Sequence, residues 1–589
     1  RKRGKSGKEL KKVYKIIRCK ELYLMAYAKL YANKGALTPG TDPEDTVDGM
    51  SMRRIDSIVE KLEKGVYRWK PVRRTYIQKK SSSTNMRPLG MPNWSDKLLQ
   101  EVIRMVLEAY YEPQFRNSSH GFRQRRGCHT ALHHIMRWTG VRWFIEGDIK
   151  GCFDNIDHTV MLNILKQKVK DERFLKLLKG MLKAGYMEDW KYYKTYSGTP
   201  QGGIASPLLA NIVLNELDVF VEDTLIPKYT KGKRRKANPE YQELECAIRR
   251  AERKGDVEAA RMLKKKRMKT PSKMANDAEF RRLKYVRYAD DTLWGYIGSK
   301  KEVTQIQEDI RHFLKTLRLE LSEEKTLITH ALTEKARFLN YHICYIQTDQ
   351  RVRISKKGYK RRSANGKLYF SVPPDVVNAW KNRVSKHGKI IHRKEMQNRN
   401  DYDIVLTYNV QLQGLINYYS LAHNVCDRMS QLRYFWETSL AKTLASKHKT
   451  TVSRIYRKYK RFTTSDGRKV IGVEIPRDGK EPLRATFGIK PIERKKYAVI
   501  QDEIQTVYGN RNDVISRLLA EKCELCGKEG YVEGHHIKKL KDLKERWKGR
   551  REKPEWVRRM IEIHRKTLFV CETCHDKIHR GMYEGKKLT

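Results

Sequence analysis

The sequence predicts a multidomain α+β protein, and three observations support this fold class. Its 589 residues are enough for roughly three to five domains of ordinary size. β-prone runs flank an acidic pair in the middle of the chain, whereas helical spacing of apolar residues dominates other long segments. Two Cys-x-x-Cys pairs near the C-terminus indicate a further small unit built around a metal ion.

The charge of the chain indicates a polyanionic partner. Lys and Arg number 125 against 69 Asp and Glu, which gives a formal net charge of +56. A charge this large destabilises a compact monomer by self-repulsion unless RNA or DNA neutralises it. No apolar run approaches the ~18 residues of a membrane span. Of the 10 cysteines, those outside the two pairs are scattered singly, as in reduced intracellular proteins. The sequence therefore predicts nucleic acid as a partner and no membrane.

Helical patterns divide the rest of the chain. Amphipathic spacing runs from about Lys8 to Ala32, and a broad apolar face runs from Trp94 to Tyr111. Between Pro227 and Phe280, a stretch dense in Lys, Arg and Glu is either a solvated helical insertion or an RNA contact. Helical spacing returns from about Val372 to Lys460, where the aromatic residues fit a core better than a base-stacking surface.

The tetrapeptide Tyr288-Ala289-Asp290-Asp291 predicts a hairpin with two carboxylates at its tip. Read alone, such a pair also fits a solvated turn. Adjacent carboxylates repel each other unless a cation holds them, so a divalent metal is the expected partner. Upstream, a second β-prone run ends in Asp148. Because nucleotidyl transfer uses two metal ions clamped by carboxylates from separate strands, these three acids are predicted to share one catalytic site.

The C-terminal cysteines predict a structural zinc site. Cys523, Cys526, Cys571 and Cys574 form two Cys-x-x-Cys pairs, the spacing that lets two knuckles close a tetrahedral Zn²⁺ site. A Gly534-His535-His536 sequence lies between the knuckles, and two further histidines follow the second pair at helical spacing.

Several motifs occur in a fixed order, and with them the chain resembles the group II intron-encoded reverse transcriptases and maturases over most of its length. The motifs are Lys34 to Asp42 with Val47-Asp48-Gly49, Arg87-Pro88-Leu89-Gly90, His120-Gly121-Phe122-Arg123, Asp148 to Asp157, Thr199 to Leu209, Tyr288 to Asp291, Leu319 to Thr326 and Phe338 to Tyr341.

The resemblance implies a division into domains. A right-hand polymerase is expected at 1–365, with fingers and a palm built on an antiparallel sheet and a basic insertion at about 228–282. An α-helical thumb, called domain X in maturases, is expected at 366–445, and a basic DNA-binding region at 446–504. The last part, 505–589, resembles an HNH endonuclease domain of the ββα-metal fold that also contains the four-cysteine zinc site.

The resemblance also implies roles for single residues of the polymerase. Asp148 and Asp290 would bind both Mg²⁺ ions, and Asp291 would be an additional ligand or a structural acid. Phe153 takes the position of the steric gate that excludes a ribose 2′-hydroxyl, with a core phenylalanine as the alternative. Residues implied in nucleotide or template binding are Arg87, Gln201, Gly202 and Lys325, the last as a candidate proton donor to pyrophosphate.

In the HNH part, the family positions make His535, His575 and His579 ligands of Mg²⁺ or another divalent ion. His536 would be the general base that deprotonates water. The sequence departs from the family at Thr567, where an Asn usually orients the base, and this departure bears on the cleavage rate. A purely structural zinc finger with incidental histidines is the alternative.

Three activities follow from the resemblance: assistance to splicing of intron RNA, site-specific cleavage of one DNA strand, and target-primed reverse transcription from the cleaved 3′ end. The implied partners are intron RNA, target DNA and dNTPs. The implied location is the cytoplasm or nucleoid of a bacterium, with an organellar matrix as the alternative. A splicing-only maturase would be suspected if the palm acids or HNH histidines were broken, and a non-mobile reverse transcriptase would lack the thumb and HNH tail.

Overall fold

In the computed structural model, the described residues are 1–33, 35–78, 86–198, 202–274, 277–346, 353–354, 360–361, 366–477, 479–499, 513–537, 553–562 and 566–582. Helices and strands are mixed throughout, which confirms the predicted combination of α and β structure. Two large hydrophobic cores hold most of the buried side chains, and a small third core lies in the C-terminal part. None of the described helices is both long enough and apolar enough to cross a membrane.

Helices of the first core surround Trp94–Tyr111, which has the bounds that its apolar spacing predicts. The amphipathic pattern over 8–32 is divided between Val13–Ile16 and Lys20–Leu30, because a turn bonded from Cys19 N–H to Ile16 O separates them. Cys128–Met136 instead packs into the second core. The other helices of this part are Lys2–Lys5, Met52–Glu63, Cys152–Asn155, His158–Lys168, Glu172–Leu182, Ser206–Phe220, the π-helix Val221–Leu225, Ile226–Lys228 and Lys300–Thr316.

A four-stranded antiparallel sheet carries the predicted acids. Its strands lie in the order Leu327–His330, Trp143–Asp148, Asp291–Ile297 and Arg282–Tyr288. The last two form the predicted hairpin, and Asp148 lies directly opposite Asp291. Alternate side chains of the central strands enter the two large cores on opposite faces, so the sheet is buried on both sides.

A second four-stranded sheet has the order Met86–Met91, Val72–Gln78, Tyr186–Glu188 and Lys191–Tyr193. Most of the other strands before the C-terminal part have at most five residues, whereas Gly472–Arg477 and Lys480–Thr486 have six and seven. These other strands are Leu10–Lys11, Val169–Lys170, Ala336–Phe338, Tyr341–Tyr345, Arg353–Ile354, Lys360–Arg361, Leu368–Ser371, Ser385–Lys386, Lys389–Ile390, Phe462–Thr463, Lys469–Val470, Gly472–Arg477 and Lys480–Thr486.

The basic segment before the acid hairpin forms two adjacent helices, Pro239–Arg253 and Val257–Lys269. Leu244, Ile248 and Ala260 are their buried side chains, so most of the surface of both helices faces solvent. The segment has the form of the first alternative, a solvated helical insertion, and its contact with RNA stays a prediction.

The second core contains long helices from the region after the sheet. Trp436 and Tyr408 are almost completely buried there and make an edge-to-face contact. These two aromatics are core residues, as the sequence analysis favoured, whereas Tyr434 is exposed. The helices of this part are Pro374–Asn382, the 3₁₀ turn Lys394–Met396, Asp401–Tyr418, Val425–Lys447 and Val452–Tyr459.

The C-terminal part packs onto the first core. Val514, Leu518 and Phe569 belong to the same hydrophobic cluster as the N-terminal helices. A two-stranded antiparallel ribbon followed by a helix forms its centre. Its elements are Asp513–Leu519, Glu533–His536, Glu555–Glu562, Thr567–Val570 and Glu572–His579.

Candidate active sites

The three predicted acids lie at one end of the first sheet. Asp148 ends its strand and pairs with Asp291, the first residue of the neighbouring strand. Asp290 occupies the turn just before Asp291. The Thr292 hydroxyl donates a hydrogen bond of 2.9 Å to the Gly147 carbonyl and fastens the two strands next to the acids. The sheet register thus brings together carboxylates that are far apart in sequence.

The acidic turn rests on a buried arginine. Ala289 has φ +56°, a conformation that is uncommon for residues other than glycine. Its carbonyl accepts a hydrogen bond of 2.8 Å from the Arg287 guanidinium. Gly121 approaches from the other side, where an added Cβ would lie 2.4 Å from Ala289 N. The close fit allows only glycine at position 121 and fixes the tip of the hairpin.

Lys325 forms an ion pair with one of the acids. Its Nζ donates to Asp148 Oδ2 over 2.7 Å, and Ser322 N–H donates to the Asp148 carbonyl over 2.8 Å. This contact raises the pKa of Lys325, so the ammonium is retained at neutral pH. The Leu319 to Thr326 motif therefore lies directly beside the strand that ends in Asp148.

The environment of the acids disfavours three negative charges. Burial and then Asp148 raise the pKa of Asp290, and the nearby Arg87 counteracts them. The pKa of Asp291 is raised to about 7, first by burial among protein atoms and then by Asp290 and Asp148. Its side chain nevertheless reaches solvent at the open end of the sheet. Carboxylates that are protonated for this reason ionise readily when a divalent cation replaces the proton.

The residues expected to contact nucleotide or template are described only in part. Phe153 is half-buried, and its ring makes an edge-to-face contact with Phe122 at 6.1 Å. Gly202 has φ +106°, and a Cβ there would lie 2.4 Å from the Gly90 carbonyl. Gln201 lies outside the described residues.

The four cysteines of the predicted zinc site come together at the C-terminal end of the ribbon. The Sγ atoms of Cys523, Cys526, Cys571 and Cys574 all lie within 4.8 Å of one another. Cys526 N–H donates to Cys523 Sγ over 3.4 Å, a bond that favours the thiolate form. Four sulfur ligands at this spacing fit a tetrahedral zinc ion.

A second cluster contains His535, His575 and His579, together with an unpredicted residue, Asp48. One ligand atom from each of the four lies within 4.8 Å of the others. We call these four residues the histidine cluster. His575 Nδ1 also pairs with Glu533 Oε2 over 2.9 Å, which leaves Nε2 directed at the cluster.

His536 lies apart from this cluster. Successive residues of a strand point to opposite faces, so the ring of His536 turns away from His535. Its Nδ1 contacts the Gly534 carbonyl at 2.8 Å, and its Nε2 contacts the Tyr27 hydroxyl at 3.0 Å. Burial lowers the pKa of His536 to about 4. Thr567, which stands where the family usually has an Asn, pairs with His536 across the ribbon.

Sequence reasoning missed four residues of these sites. Glu533 precedes His535 by two positions and shares its strand face, a signal that was available. Asp218 lies between Leu217 and Val219 near the end of the largely apolar Ser206–Phe220 helix, and an acid at such a position signals a buried partner. That partner, Arg287, and the distant Asp48 carry no comparable local signal.

Comparison with known proteins assigns these sites to a family. Three family models match: reverse transcriptase (RNA-dependent DNA polymerase) at 77–232, type II intron maturase at 375–501, and AI2M/AI1M-like HNH endonuclease at 523–575. The chain is 41% identical to the group II intron-encoded protein LtrA of Lactococcus lactis subsp. cremoris, over 96% of this chain and 95% of that protein. The chain belongs to the group II intron-encoded proteins.

More distant relatives agree with this assignment. The group II intron protein is 33% identical to the putative COX1/OXI3 intron 1 protein of Saccharomyces cerevisiae, over 96% of this chain and 68% of that one. It is 32% identical to protein YkfC of Escherichia coli, over 51% of this chain and 74% of that one. The resemblance seen in the motifs is confirmed, and the protein is a reverse transcriptase, maturase and HNH endonuclease.

Proposed function

We propose that this group II intron protein performs target-primed reverse transcription at Asp148, Asp290 and Asp291. The observation that carries the proposal is the register of two antiparallel strands, which places Asp148 opposite Asp291 and next to the Asp290 turn. Asp148 and Asp290 would hold two Mg²⁺ ions, with Asp291 as a further ligand or a structural acid. When bound, these ions would activate the primer 3′ oxygen and stabilise the leaving pyrophosphate.

The side chains around the acids suit the remaining steps of nucleotide addition. Lys325 is held beside Asp148 as an ammonium, so it can donate a proton to the departing pyrophosphate. Arg87 is exposed and close enough to influence the pKa of Asp290, which suits triphosphate binding. Phe153 would abut the sugar C2′ position. Gly202 brings the backbone close to Gly90, so that the loop containing Gln201 can approach the template and incoming nucleotide.

The polymerase elements fit the right-hand arrangement. We assign fingers and palm to 1–365, with the insertion at about 228–282, and the helical thumb, or domain X, to 366–445. The palm assignment is supported by the four-stranded antiparallel sheet with its acids, and the thumb assignment by the helices of the second core. The basic region 446–504 would bind DNA, and 505–589 would form the HNH domain with structural Zn²⁺ on its four cysteines.

For strand cleavage, His535, His575 and His579 would hold one divalent ion, and His536 would deprotonate the attacking water. The bound ion would polarise the scissile phosphate and stabilise the leaving oxygen. The ligand atoms are close enough to share an ion. His536 can act as a base only after its Nε2 is released from Tyr27, because that nitrogen is engaged in this structure.

Intron RNA and target DNA are the macromolecular substrates that the family implies, and the net charge of +56 suits both. We assign dNTPs as the small substrates. The similarity to a Lactococcus protein supports a bacterial cytoplasm or nucleoid as the site of action.

The polymerase proposal is tested with Asp290→Ala in primer extension on an RNA template. Extension is expected to fall to background, whereas binding of intron RNA is retained because it depends on other surfaces. The matched control is Asp223→Ala, which removes a half-exposed carboxylate that pairs with Arg116. Extension by Asp290→Ala at the rate of the parent protein would refute the assignment.

A further inference from the structure

We propose that Asp48 is a fourth ligand of the nuclease ion, and that the N-terminal segment thereby holds the nuclease closed in the free protein. The inference rests on the proposed three-histidine metal site. It adds a ligand from the polymerase part of the chain. It also implies that the nuclease can act only after this ligand has left the ion.

The N-terminal segment contacts the nuclease ribbon through an isolated antiparallel β-bridge between Met50 and Gly534. Gly49 N–H donates to the Gly534 carbonyl over 3.0 Å, and Gly534 N–H donates to the Met50 carbonyl over 2.9 Å. Val47 and Met50, on either side of this contact, are completely buried. The backbone of 47–50 is therefore fixed against the strand that carries His535, and Asp48 has a defined position.

The Asp48 carboxylate reaches all three predicted ligands. Its Oδ2 lies 2.9 Å from His579 Nε2, and its Oδ1 lies 3.6 Å from both His575 Nε2 and His535 Nδ1. The same Oδ1 accepts a hydrogen bond of 2.7 Å from His536 N–H. This backbone bond orients the carboxylate, and the three imidazoles converge on it.

His535 provides an independent sign that an ion belongs here. The residue is only 6% exposed, and among the described residues neither of its ring nitrogens has a hydrogen-bond partner. Leaving a polar group buried and unpaired is costly. A cation between His535, His575, His579 and Asp48 would satisfy the nitrogen that faces the cluster.

The four ligands determine which ion the site favours and whether a coordination position stays open for substrate. Three imidazoles and one carboxylate favour zinc or a similar transition metal over Mg²⁺, which prefers oxygen ligands. Four protein ligands complete a tetrahedral site, whereas hydrolytic sites keep a position open for water or substrate. With Asp48 in place, the ion has no free tetrahedral position for a DNA phosphate.

The same N-terminal part also engages the proposed base. Tyr27 belongs to the Lys20–Leu30 helix, and its hydroxyl forms a hydrogen bond with His536 Nε2. Asp48 and Tyr27 thus cover the metal ligands and the base together. Cleavage then requires the nuclease to separate from the N-terminal segment, which would restrict cutting to the assembled complex on its DNA target.

The test measures Co²⁺ binding to the full-length protein whose four cysteines already hold Zn²⁺. Four-coordinate Co²⁺ absorbs visible light far more strongly than six-coordinate Co²⁺, so ions at the oxygen-rich polymerase site contribute little. Asp48→Asn keeps the side-chain volume and an acceptor for His536 N–H but removes the charge. We expect it to weaken four-coordinate Co²⁺ binding by at least about tenfold. Asp42→Asn, in the same segment but paired with Lys70, should leave the affinity unchanged.

Nicking of target DNA by the intron ribonucleoprotein is measured in parallel at saturating metal. Asp48→Asn should nick at least as fast as the parent, because Asp48 must leave before cleavage. Unchanged Co²⁺ affinity in Asp48→Asn, or loss of nicking at saturating metal, would overturn the inference. His575→Ala distinguishes failure of the three-histidine site from failure of the Asp48 proposal. If neither His575→Ala nor Asp48→Asn changes Co²⁺ binding, the three-histidine site itself is refuted. If only His575→Ala weakens Co²⁺ binding, the site stands and the role of Asp48 is refuted.

Discussion

Arg287 and Asp218 form a completely buried ion pair beneath the acidic turn of the polymerase site. The guanidinium donates to both carboxylate oxygens, over 2.8 and 2.6 Å, and both side chains have no exposed surface. The same arginine donates to the Ala289 carbonyl and to Asn211 Oδ1. The pair thus connects the Ser206–Phe220 helix to the backbone that presents Asp290, and it makes the position of the catalytic turn depend on that helix.

Removal of the charge of Asp218 should disable the polymerase without touching its acids. Asp218→Asn leaves Arg287 buried without a counterion, a change that typically costs about 3–5 kcal/mol of stability. We expect primer extension to fall at least about tenfold and the thermal unfolding temperature to fall with it. The control is Asp309→Asn, which breaks a pair with the half-exposed Lys228. Parental extension and stability in Asp218→Asn would show that the pair does not support the turn.

Local patterns predicted the elements that carry the chemistry, but not what holds them in place. The Trp94–Tyr111 helix and the Asp290 hairpin follow from apolar spacing and turn residues, which act over short distances. The chemistry of two-metal nucleotidyl transfer predicted that Asp148 and Asp291 share a site. The strand register that pairs them was not predicted, because register between distant segments has no local signature. The contact of Asp48 with His579 was missed for the same reason.

The steric-gate role of Phe153 predicts a change in sugar selectivity. Phe153→Ala should admit ribonucleotides more readily, because loss of the ring opens space next to the sugar C2′ atom. The measurement is the ratio of kcat/KM for dNTP and rNTP addition on one primed template. Phe122→Ala is the matched control, since that ring contacts Phe153 but is not at the gate position. An unchanged ratio in Phe153→Ala would identify it as a packing residue.

The zinc site should stabilise the C-terminal part selectively. Cys523→Ser removes one of four ligands, and in small metal sites the binding energy of the ion is also folding energy. Zinc content should fall, and limited proteolysis should clip the chain after about residue 500 while the polymerase part persists. The control is Cys246→Ser, an exposed cysteine on the insertion. Collapse of polymerase activity would show that the packing of Leu518 and Phe569 on the first core stabilises both parts.

His536 should be needed for DNA cleavage and not for DNA synthesis. In His536→Ala the attacking water loses its base, whereas the polymerase acids are unaffected. Nicking of duplex DNA with the insertion site should fall to background in a single-turnover assay, and extension of an annealed primer should continue. His133→Ala is a control for histidine loss in the polymerase part, because His133 contacts only the Ala498 carbonyl among its described partners. Nicking at the parental rate in His536→Ala would make the C-terminal part a DNA-binding finger rather than a nuclease.

Asp96 should give the first core a pH-dependent stability. It is 4% exposed, accepts hydrogen bonds from the Tyr67 hydroxyl and Lys70 N–H, and has its pKa raised by burial to about 7. Because the folded pKa exceeds the ordinary value of 3.8, the folded state holds this proton more tightly than the unfolded state. The resulting stability is fully present below about pH 4 and is lost as the pH rises through about 7.

Asp96→Asn removes this titration and keeps the shape of the side chain. Between pH 5 and 7 the parent should lose up to about 1.4 kcal/mol per pH unit from this one group, and the variant should lose correspondingly less. Thermal unfolding followed by tryptophan fluorescence across this range measures the difference in slope. The control Asp56→Asn changes a half-exposed carboxylate paired with Lys20 and should keep the parental slope. Equal slopes for Asp96→Asn and the parent would mean that Asp96 is ionised in the folded protein, stabilised by its two hydrogen-bond donors.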